Sequence, residues 1–276
     1  MKRVAVLRGG PSSEYEVSLK SGAAVLNALK KLEYPFKDIT ITKGGDWLES
    51  GIVRSPENAL SAIDVVFVAL HGEYGEDGQV QRILQRLNIP FTGSNAFSSS
   101  IAFNKDLTKD TVREHGLKMA KHRKVDRSSR HSLQSEVDYI ANTMESELFV
   151  KPLASGSSIG ARYVNSQEQL GTALSELLDI YDAVMVEEFI RGKEATVGVL
   201  EGFRDHDIYA LPPIEIIPAS GQPFFSNQAK YDGTTQEIVP GRFSYAEKAA
   251  LAEAAVLAHK ALHCAHYSRS DFIVKD

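Results

Sequence analysis

Two lysines and a loop of small residues have the types and spacing that could bind a triphosphate. Lys151 lies in an apolar run at residues 149–152, and Lys105 precedes a helix-like segment. The loop 155–160 (SGSSIG) follows Lys151, and such loops hold phosphates through free backbone amides. The order G-x-x-x-x-G-K-[ST] is absent, so a nucleotide would need an architecture other than a P-loop. An ordinary solvated lysine is the alternative at either position.

Carboxylates that could bind an ammonium group or a nucleoside occur at two places. Glu14 follows the glycines at 9–10, where a strand-to-helix turn would let a ligand approach the backbone. Glu187 and Glu188 are adjacent in a strand, so only one can face a cleft and accept from an adenine amine or a ribose hydroxyl. Glu194 is a further candidate of this kind. The alternatives are an acid that stabilises a first helical turn and a surface ion pair.

Arg269 and Asp271 could form a catalytic pair near the end of the chain. They are two residues apart in a predicted strand, so both must point to the same face. They could form a buried ion pair, or Arg269 could stabilise an oxyanion while Asp271 holds Mg²⁺. Metal sites normally need more oxygen ligands than one aspartate supplies, which favours the simple ion pair.

Two other polar clusters are weaker candidates. One consists of zinc-ligand types, His259, His263, Cys264 and His266. Its order matches no standard zinc site, so a polar helix flank is the favoured interpretation. The basic run 118–124 is predicted to be a solvated edge, because 31 basic against 36 acidic residues give a net charge of −5.

Composition narrows the class of protein. The negative charge offers no general attraction to nucleic acid or anionic lipid, so we expect neither as a partner. Cys264 is the only cysteine, which excludes an internal disulfide framework. The chain has no apolar run of about 18 residues and no signal peptide, so a cytoplasmic location is predicted.

The elements that must position these residues begin with an α/β pattern. Residues 4–7 predict a strand, a glycine turn follows, and Val25 and Leu29 have helical spacing. Residues 64–70 (DVVFVAL) predict a buried parallel strand, which leads into a turn at 71–78 (HGEYGEDG) and an amphipathic helix. Ligands of such lobes bind at the carboxyl ends of the strands, where both turns lie.

The rest of the chain indicates a different architecture, and 276 residues suffice for two or three lobes. We place a boundary near Ser94 and predict a helix that closes at Gly116. One mainly antiparallel sheet is predicted from the segments 184–190, 194–200 and 208–218. The last part is predicted to contain a functional loop at 224–241, a helix that begins with a Ser244–Glu247 capping box, and a strand at 267–274.

Taken in order, these segments resemble the D-alanine–D-alanine ligases of the ATP-grasp superfamily over essentially the whole chain. The matching segments are GGPSSEYEVS (9–18), ALHGEYGEDG (69–78), FTGS (91–94), NKD (104–106), VKPLASGSSIG (150–160), EEFIRGKEATV (187–197), AKY (229–231) and SRSDF (268–272). The resemblance implies an α/β fold with a Rossmann-like N-terminal lobe followed by an ATP-grasp fold. The resemblance implies three successive parts: an N-terminal domain (1–95), a central α+β subdomain (96–183) and an incomplete C-terminal α+β subdomain (184–276).

The resemblance also implies a reaction. ATP phosphorylates the carboxylate of one D-alanine, and the amine of a second D-alanine attacks the acyl phosphate to give D-alanyl-D-alanine for peptidoglycan synthesis. The protein would supply mainly charge neutralisation, positioning and water exclusion. Mg²⁺, with Mn²⁺ as a substitute, and a homodimer are implied in the same way.

Roles for the amino-acid substrates follow from the same resemblance. Glu14 would hold the ammonium group of the first D-alanine, with His71 nearby. Tyr231 would join Glu14 and Ser157 in a hydrogen-bonded latch, and a tyrosine at this place favours an amine as second substrate. Arg269 would stabilise the tetrahedral oxyanion.

Roles for ATP and the metal are implied for a larger set. Lys105, Lys151 and Lys230 would neutralise the phosphates of ATP, and the loop with Ser157 and Ser158 would close over them. Glu187 and Glu194 would bind the adenine and the ribose. Asp271 would coordinate Mg²⁺.

The chain departs from the family pattern at its C-terminus. The family continues into a strand with a Glu-x-Asn metal motif, a Gly-rich turn and a Ser-Leu pair, and none of these follows Asp276. The alternative to an active ligase is therefore a catalytically silent module that binds nucleotide or D-alanine. A further alternative is an ATP-grasp ligase for a different amino acid.

Overall fold

The computed structural model describes residues 1–154, 156, 159–218 and 235–275. It divides into two compact units. Unit 1 comprises Met1–Phe103 and His263–Tyr267, and unit 2 comprises Asn104–Leu262 and Ser268–Asp276. The division into domains at 1–95, 96–183 and 184–276 stays a prediction.

Unit 1 is built on a five-stranded sheet with the order β4-β3-β2-β1-β5. Its strands are β1 (Val4–Gly9), β2 (Phe36–Ile41), β3 (Trp47–Glu49), β4 (Ile52–Arg54) and β5 (Val65–Val68). Its helices are α1 (Tyr15–Lys31), α2 (Pro56–Ala59), α3 (Gln79–Arg86) and α4 (Ala96–Phe103).

The parallel core of unit 1 confirms the α/β prediction for this part of the chain. Strand β1 pairs in parallel with β2 on one side and with β5 on the other, while β3 and β4 continue the sheet antiparallel. Strands buried on both faces are apolar at nearly every position, which is why the runs at 4–7 and 64–70 could be recognised as strands. Leu7, Ile39 and Leu84 are among the fully buried side chains of this core.

Unit 2 contains a four-stranded antiparallel sheet, β6-β9-β7-β8, covered by helices. Its strands are β6 (His122–Asp126), β7 (Leu148–Pro152), β8 (Arg162–Val164) and β9 (Ala183–Glu188). The helices of this part are α5 (Lys105–Glu114), α6 (Leu133–Thr143) and α7 (Gln167–Ile180), with a 3₁₀ turn at Arg127–Ser132. Leucines of α7 pack on the apolar face of β7 and β9.

The second sheet of unit 2 has the order β11-β10-β12-β13, and β14 also pairs with β10. Its strands are β10 (Lys193–Phe203), β11 (His206–Ala210), β12 (Ile214–Ile217), β13 (Gln236–Ile238) and β14 (Tyr267–Val274). Helix α8 (Tyr245–Ala261) packs on β10, and its Ser244–Glu247 capping box confirms the predicted helix start.

The prediction of a single sheet from 184–190, 194–200 and 208–218 is wrong. Strand β9 pairs with β6 and β7, whereas β10 pairs with β11 and β12. The segment 208–218 forms two strands, because Pro212 and Pro213 lack the N–H that a ladder needs.

Over the described ranges 1–154, 156, 159–218 and 235–275, no helix is both long enough and apolar enough to cross a bilayer.

Candidate functional site

The predicted phosphate-binding lysine Lys151 lies beside a buried carboxylate on the central sheet of unit 2. Strands β7 and β9 are paired in the register Lys151↔Met185 and Phe149↔Glu187, which places Lys151 diagonally across from Glu187. The Lys151 ammonium forms an ion pair with Oε1 of Glu187. Glu187 is 8% exposed, so this pair is largely shielded from water. The structure thus brings together two of the residues that the sequence predicted for nucleotide binding.

A second lysine, Lys109 of α5, approaches the same carboxylate from the helix side. Its Nζ is 2.9 Å from Oε2 of Glu187, an ion-pair distance. The contact with Lys109 is an ion pair, and no hydrogen bond to Oε2 is found among the described residues. The oxygen therefore keeps an acceptor position for a further N–H donor.

Two opposing effects set the charge of Glu187. Burial raises the pKa of the carboxyl, because it penalises the charged form. The positive charges of Lys151 and then Lys109 outweigh burial, so the net pKa is lowered. Glu187 is therefore a carboxylate at neutral pH, able to accept but not to donate hydrogen bonds.

Lys105 is positioned by the start of α5. Asn104 caps the helix by accepting from the backbone N–H groups of Asp106 and Leu107. The backbone N–H of Lys105 donates to the carbonyl of Leu153 at 3.2 Å, which fixes the start of α5 beside the chain that leaves β7. Lys105 and Lys109 are four residues apart and share a face of α5.

The loop after β7 is described only in part. The N–H of Ile159 donates to the carbonyl of Gly156 at 3.1 Å. The predicted site residues Ser157, Ser158, Lys230 and Tyr231 lie outside the described residues, as does most of the predicted loop 224–241.

The other predicted nucleotide carboxylates lie at the ends of strands. Glu188 is half-buried while its neighbour Glu187 is buried. That the two point to opposite faces of β9 stays a prediction from strand geometry. Glu194 is a half-buried residue near the start of β10, opposite Ile216 of β12. Its role in binding the ribose stays a prediction.

In unit 1, Glu14 lies at the N-terminus of α1, next to the turn that carries His71. Ser12 connects the two segments: its hydroxyl donates to the carbonyl of His71 at 2.6 Å and accepts from the N–H of Glu14 at 3.1 Å. The backbone of Gly72 comes so close that a Cβ there would lie 2.9 Å from Oε2 of Glu14. The two predicted substrate residues therefore belong to adjacent segments, and their roles stay predictions.

Hydrogen bonds and a tight turn hold this part of unit 1 in place. The His71 Nε2 lies 2.8 Å from the hydroxyl of Ser21, and its Nδ1 lies 3.8 Å from Glu76. Gly9 has a φ of +87°, and a Cβ there would lie 2.4 Å from the carbonyl oxygen of Ile41. Glycine is required at this turn because any side chain would meet the backbone of the neighbouring strand.

Arg269 and Asp271 lie on the same face of β14, as predicted, and that face is exposed. The Arg269 Nε is 3.5 Å from Oδ1 of Asp271. Their side chains are 67% and 69% exposed, so the expectation of a buried ion pair is wrong. Alternate residues of β14 face solvent, and both charged residues fall on those positions.

The fit of these residues to a metal ion rests on Asp271. Across the part of the chain that the structure describes, no group of three or more His, Cys, Asp and Glu residues could hold a metal. Mg²⁺ in phosphoryl-transfer sites takes one or two carboxylates and fills its other positions with phosphate oxygens and water. Asp271 offers one exposed carboxylate of that kind.

Sequence reasoning missed Lys109. Its signal was present in the helical spacing, because Lys109 follows Lys105 by four residues in α5. The contact with Glu187 could not be predicted, since it depends on how α5 packs against the central sheet.

Comparisons with known proteins identify the family of the chain. The sequence profile of the D-ala D-ala ligase C-terminus matches residues 111–276, and that of the D-ala D-ala ligase N-terminus matches residues 3–59 and 49–94. A D-alanine–D-alanine ligase of Syntrophobacter fumaroxidans is 40% identical over 278 residues, covering 98% of this chain and 83% of the relative.

Solved structures show the same architecture. The VanG D-Ala:D-Ser ligase from Enterococcus faecalis has a TM-score of 0.83 at 29% identity, covering 99% of this chain and 86% of that one. The D-alanine–D-alanine ligase from Bacillus anthracis complexed with ATP has a TM-score of 0.75 at 28% identity, covering 100% of this chain and 83% of that one. The fold is therefore the α/β fold of ATP-grasp ligases, and the chain belongs to the D-alanine–D-alanine ligase family.

Proposed function

We propose that this protein joins two D-alanines to D-alanyl-D-alanine at the expense of ATP, as a step in making peptidoglycan precursors. The observation that carries the proposal is the buried Glu187 carboxylate held between Lys151 and Lys109, within a chain of this ligase family. It combines a cation for phosphate with an acceptor for an adenine amine, which are the two groups that ATP binding needs.

The reaction proceeds in two steps. A carboxylate oxygen of the first D-alanine attacks the γ-phosphorus of ATP, the bond to the β-phosphate breaks, and ADP leaves. The amine of the second D-alanine then attacks the acyl carbon, the tetrahedral intermediate loses phosphate, and the amine nitrogen loses its proton. Charge neutralisation and exclusion of water are the main contributions that the protein can make to both steps.

The nucleotide is held by residues of unit 2. Lys105, Lys151 and Lys230 neutralise the phosphates, and Ser157 and Ser158 close over them. Glu187 accepts a hydrogen bond from the adenine amine, and Glu194 accepts from ribose hydroxyls. The depressed pKa of Glu187 supports this assignment, because only the ionised carboxylate is purely an acceptor.

The amino acids are held by a second set. Glu14 binds the ammonium group of the first D-alanine, with His71 beside it, and the exposed guanidinium of Arg269 stabilises the oxyanion. The family resemblance assigns Tyr231 and Ser157 to a hydrogen-bonded latch with Glu14. Mg²⁺, or Mn²⁺ in its place, would be held by Asp271 together with phosphate oxygens, and would neutralise charge on the transferred phosphoryl group.

The family resemblance also supports a homodimer that works in the cytoplasm. Size-exclusion chromatography with light scattering tests the dimer, because it reports the mass of the assembly independently of activity.

Phosphate release tests the proposed function directly. We expect purified protein with ATP and Mg²⁺ to release phosphate only when D-alanine is added, with D-alanyl-D-alanine as the product by mass spectrometry. D-serine is tested in parallel as an alternative second substrate, because the structurally similar VanG enzyme is a D-Ala:D-Ser ligase. ATP binding without release or product under any of these conditions would identify a catalytically silent nucleotide-binding module instead.

A further inference from the structure

Three elements of unit 2 converge on one carboxylate. Strand β9 supplies Glu187, strand β7 supplies Lys151 and helix α5 supplies Lys109. The side chains of the two lysines are only 22% and 14% exposed, for Lys151 and Lys109 respectively. A carboxylate this buried requires compensation of its charge, and each lysine contacts a different oxygen of it.

The two lysines both compensate the charge of Glu187, but only one of them is also a predicted phosphate ligand. Lys151 is the predicted phosphate ligand, and its single ammonium group cannot stay tightly paired with Glu187 while it neutralises a phosphate. Lys109 emerges from α5 one helical turn after Lys105 and is the less exposed of the two. When Lys151 turns to phosphate, Lys109 is the cation that still contacts Glu187.

We propose that Lys109 is a positioning residue that sets the nucleobase specificity of the ligase, by keeping Glu187 ionised and oriented as a hydrogen-bond acceptor. The inference rests on the proposed function, because it takes Glu187 to be the residue that contacts the base. Lys109 itself touches neither the base nor the reacting atoms.

The chemistry of the two purines explains the consequence. Adenine presents an amino group at its six position, whereas guanine presents an oxygen there, so an ionised carboxylate accepts from adenine and repels guanine. A protonated carboxyl can donate to the guanine oxygen instead. Loss of the Lys109 charge raises the pKa of Glu187, because burial is then opposed by Lys151 alone. Discrimination between ATP and GTP therefore depends on Lys109.

Two aromatic rings flank Glu187 in the central sheet. His122 lies opposite Glu187 in the β6–β9 pair, and its Nε2 is 3.6 Å from Asp106. Phe149 lies opposite Glu187 on the other side, in β7. Lys109→Met keeps most of the volume of the lysine side chain while it removes the ammonium group that pairs with Glu187.

The experiment compares ADP and GDP binding by calorimetry for wild type, Lys109→Met and Lys109→Arg. We expect Lys109→Met to weaken ADP binding about tenfold and to lower the preference for ADP over GDP by a similar factor, since loss of a charge partner changes affinity on this scale. Lys109→Arg should restore both, because it restores the charge. Lys260→Met, at an exposed lysine of α8, is the matched control and should bind both nucleotides as wild type does.

Two results would overturn the inference. One is a Lys109→Met variant with the wild-type preference for ADP over GDP. The other is an equal loss of ADP and GDP affinity, which would mean that Lys109 supports the fold or the phosphates rather than the choice of base. Thermal unfolding identifies a variant that fails to fold, and Lys109→Gln then replaces Lys109→Met.

A double variant isolates the pathway of the effect. In Glu187→Gln, the neutral amide no longer needs a cation, so adding Lys109→Met should change the ADP to GDP ratio no further. A further fall in the ratio would overturn the proposed route through Glu187. The ADP to GDP binding ratios do not depend on turnover, so they test the role of Lys109 alone. The proposed function is tested separately, and it fails only if wild type makes no D-alanyl-D-alanine.

Discussion

At the scale of single residues, Lys151 is the side chain whose removal should have the largest effect on ATP binding. It combines the proposed contact with phosphate and an ion pair with the buried Glu187. Lys151→Ala removes the phosphate contact and leaves the carboxylate with Lys109 alone, so charge repulsion adds to the lost attraction. We expect the variant to show no ATP binding by isothermal titration calorimetry.

The control for this prediction is an alanine substitution of equal size at a lysine outside the site. Lys260→Ala removes an exposed ammonium group from α8, and it should bind ATP as wild type does. Wild-type affinity in Lys151→Ala would show that the phosphates are held elsewhere.

At the scale of elements, a charged cluster ties together the strand ends of the central sheet. Glu147, just before β7, forms an ion pair with Arg191, beyond the end of β9, and accepts a hydrogen bond from Tyr163 of β8. The hydrogen bond from Arg191, followed by that from Tyr163, lowers the pKa of Glu147 from 4.5 to about 2. Because the folded pKa is depressed, the carboxylate stabilises the fold above about pH 4.5, and this contribution is lost as the pH falls towards about 2.

Glu147→Gln tests this linkage. We expect the variant to be less stable than wild type at neutral pH and to lose less stability between pH 4.5 and about 2, because the amide has no proton to bind. Urea denaturation at a series of pH values measures both effects. Glu145→Gln, at an exposed neighbouring carboxylate, should follow the wild-type pH profile, and a steep profile in Glu147→Gln would contradict the assignment.

The same scale shows what the sequence could and could not predict. The capping box at Ser244 and the buried strand at β5 were predictable, because their signals lie within a few consecutive residues. The sheet to which β9 belongs could not be predicted, because the apolar pattern of β9 indicates a buried strand but not the strands with which it pairs. The same limit hid Lys109, whose type and spacing were visible but whose contact depends on packing between α5 and β9.

At the scale of the whole molecule, the family was predictable because many short motifs occur in one order along the chain. Each motif alone had an ordinary alternative, and the two family profiles together cover nearly all of the sequence. The roles of individual residues stay predictions. Four of these residues, Ser157, Ser158, Lys230 and Tyr231, lie outside the described residues. For the described ones, geometry supports Glu187 and Lys151 most directly.

The two compact units also predict separate responses to the two kinds of substrate. The proposed ATP residues Lys151 and Glu187 belong to unit 2, whereas Glu14 and His71 belong to unit 1. Ligand binding stabilises the segments that it orders, which slows their amide hydrogen exchange. We expect ADP to slow exchange in β7, β9 and the first turn of α5, and saturating D-alanine to slow it at the start of α1.

Hydrogen exchange with mass spectrometry measures both responses in one protein, and Lys151→Ala separates them. This variant should lose the response to ADP, because the phosphate cation is gone, and should keep the response to D-alanine, because Glu14 and His71 are unchanged. Protection of α1 by D-alanine in the variant would place the first amino acid at unit 1 independently of nucleotide. A response to D-alanine confined to unit 2 would contradict the assignment of Glu14, while leaving that of the nucleotide residues intact.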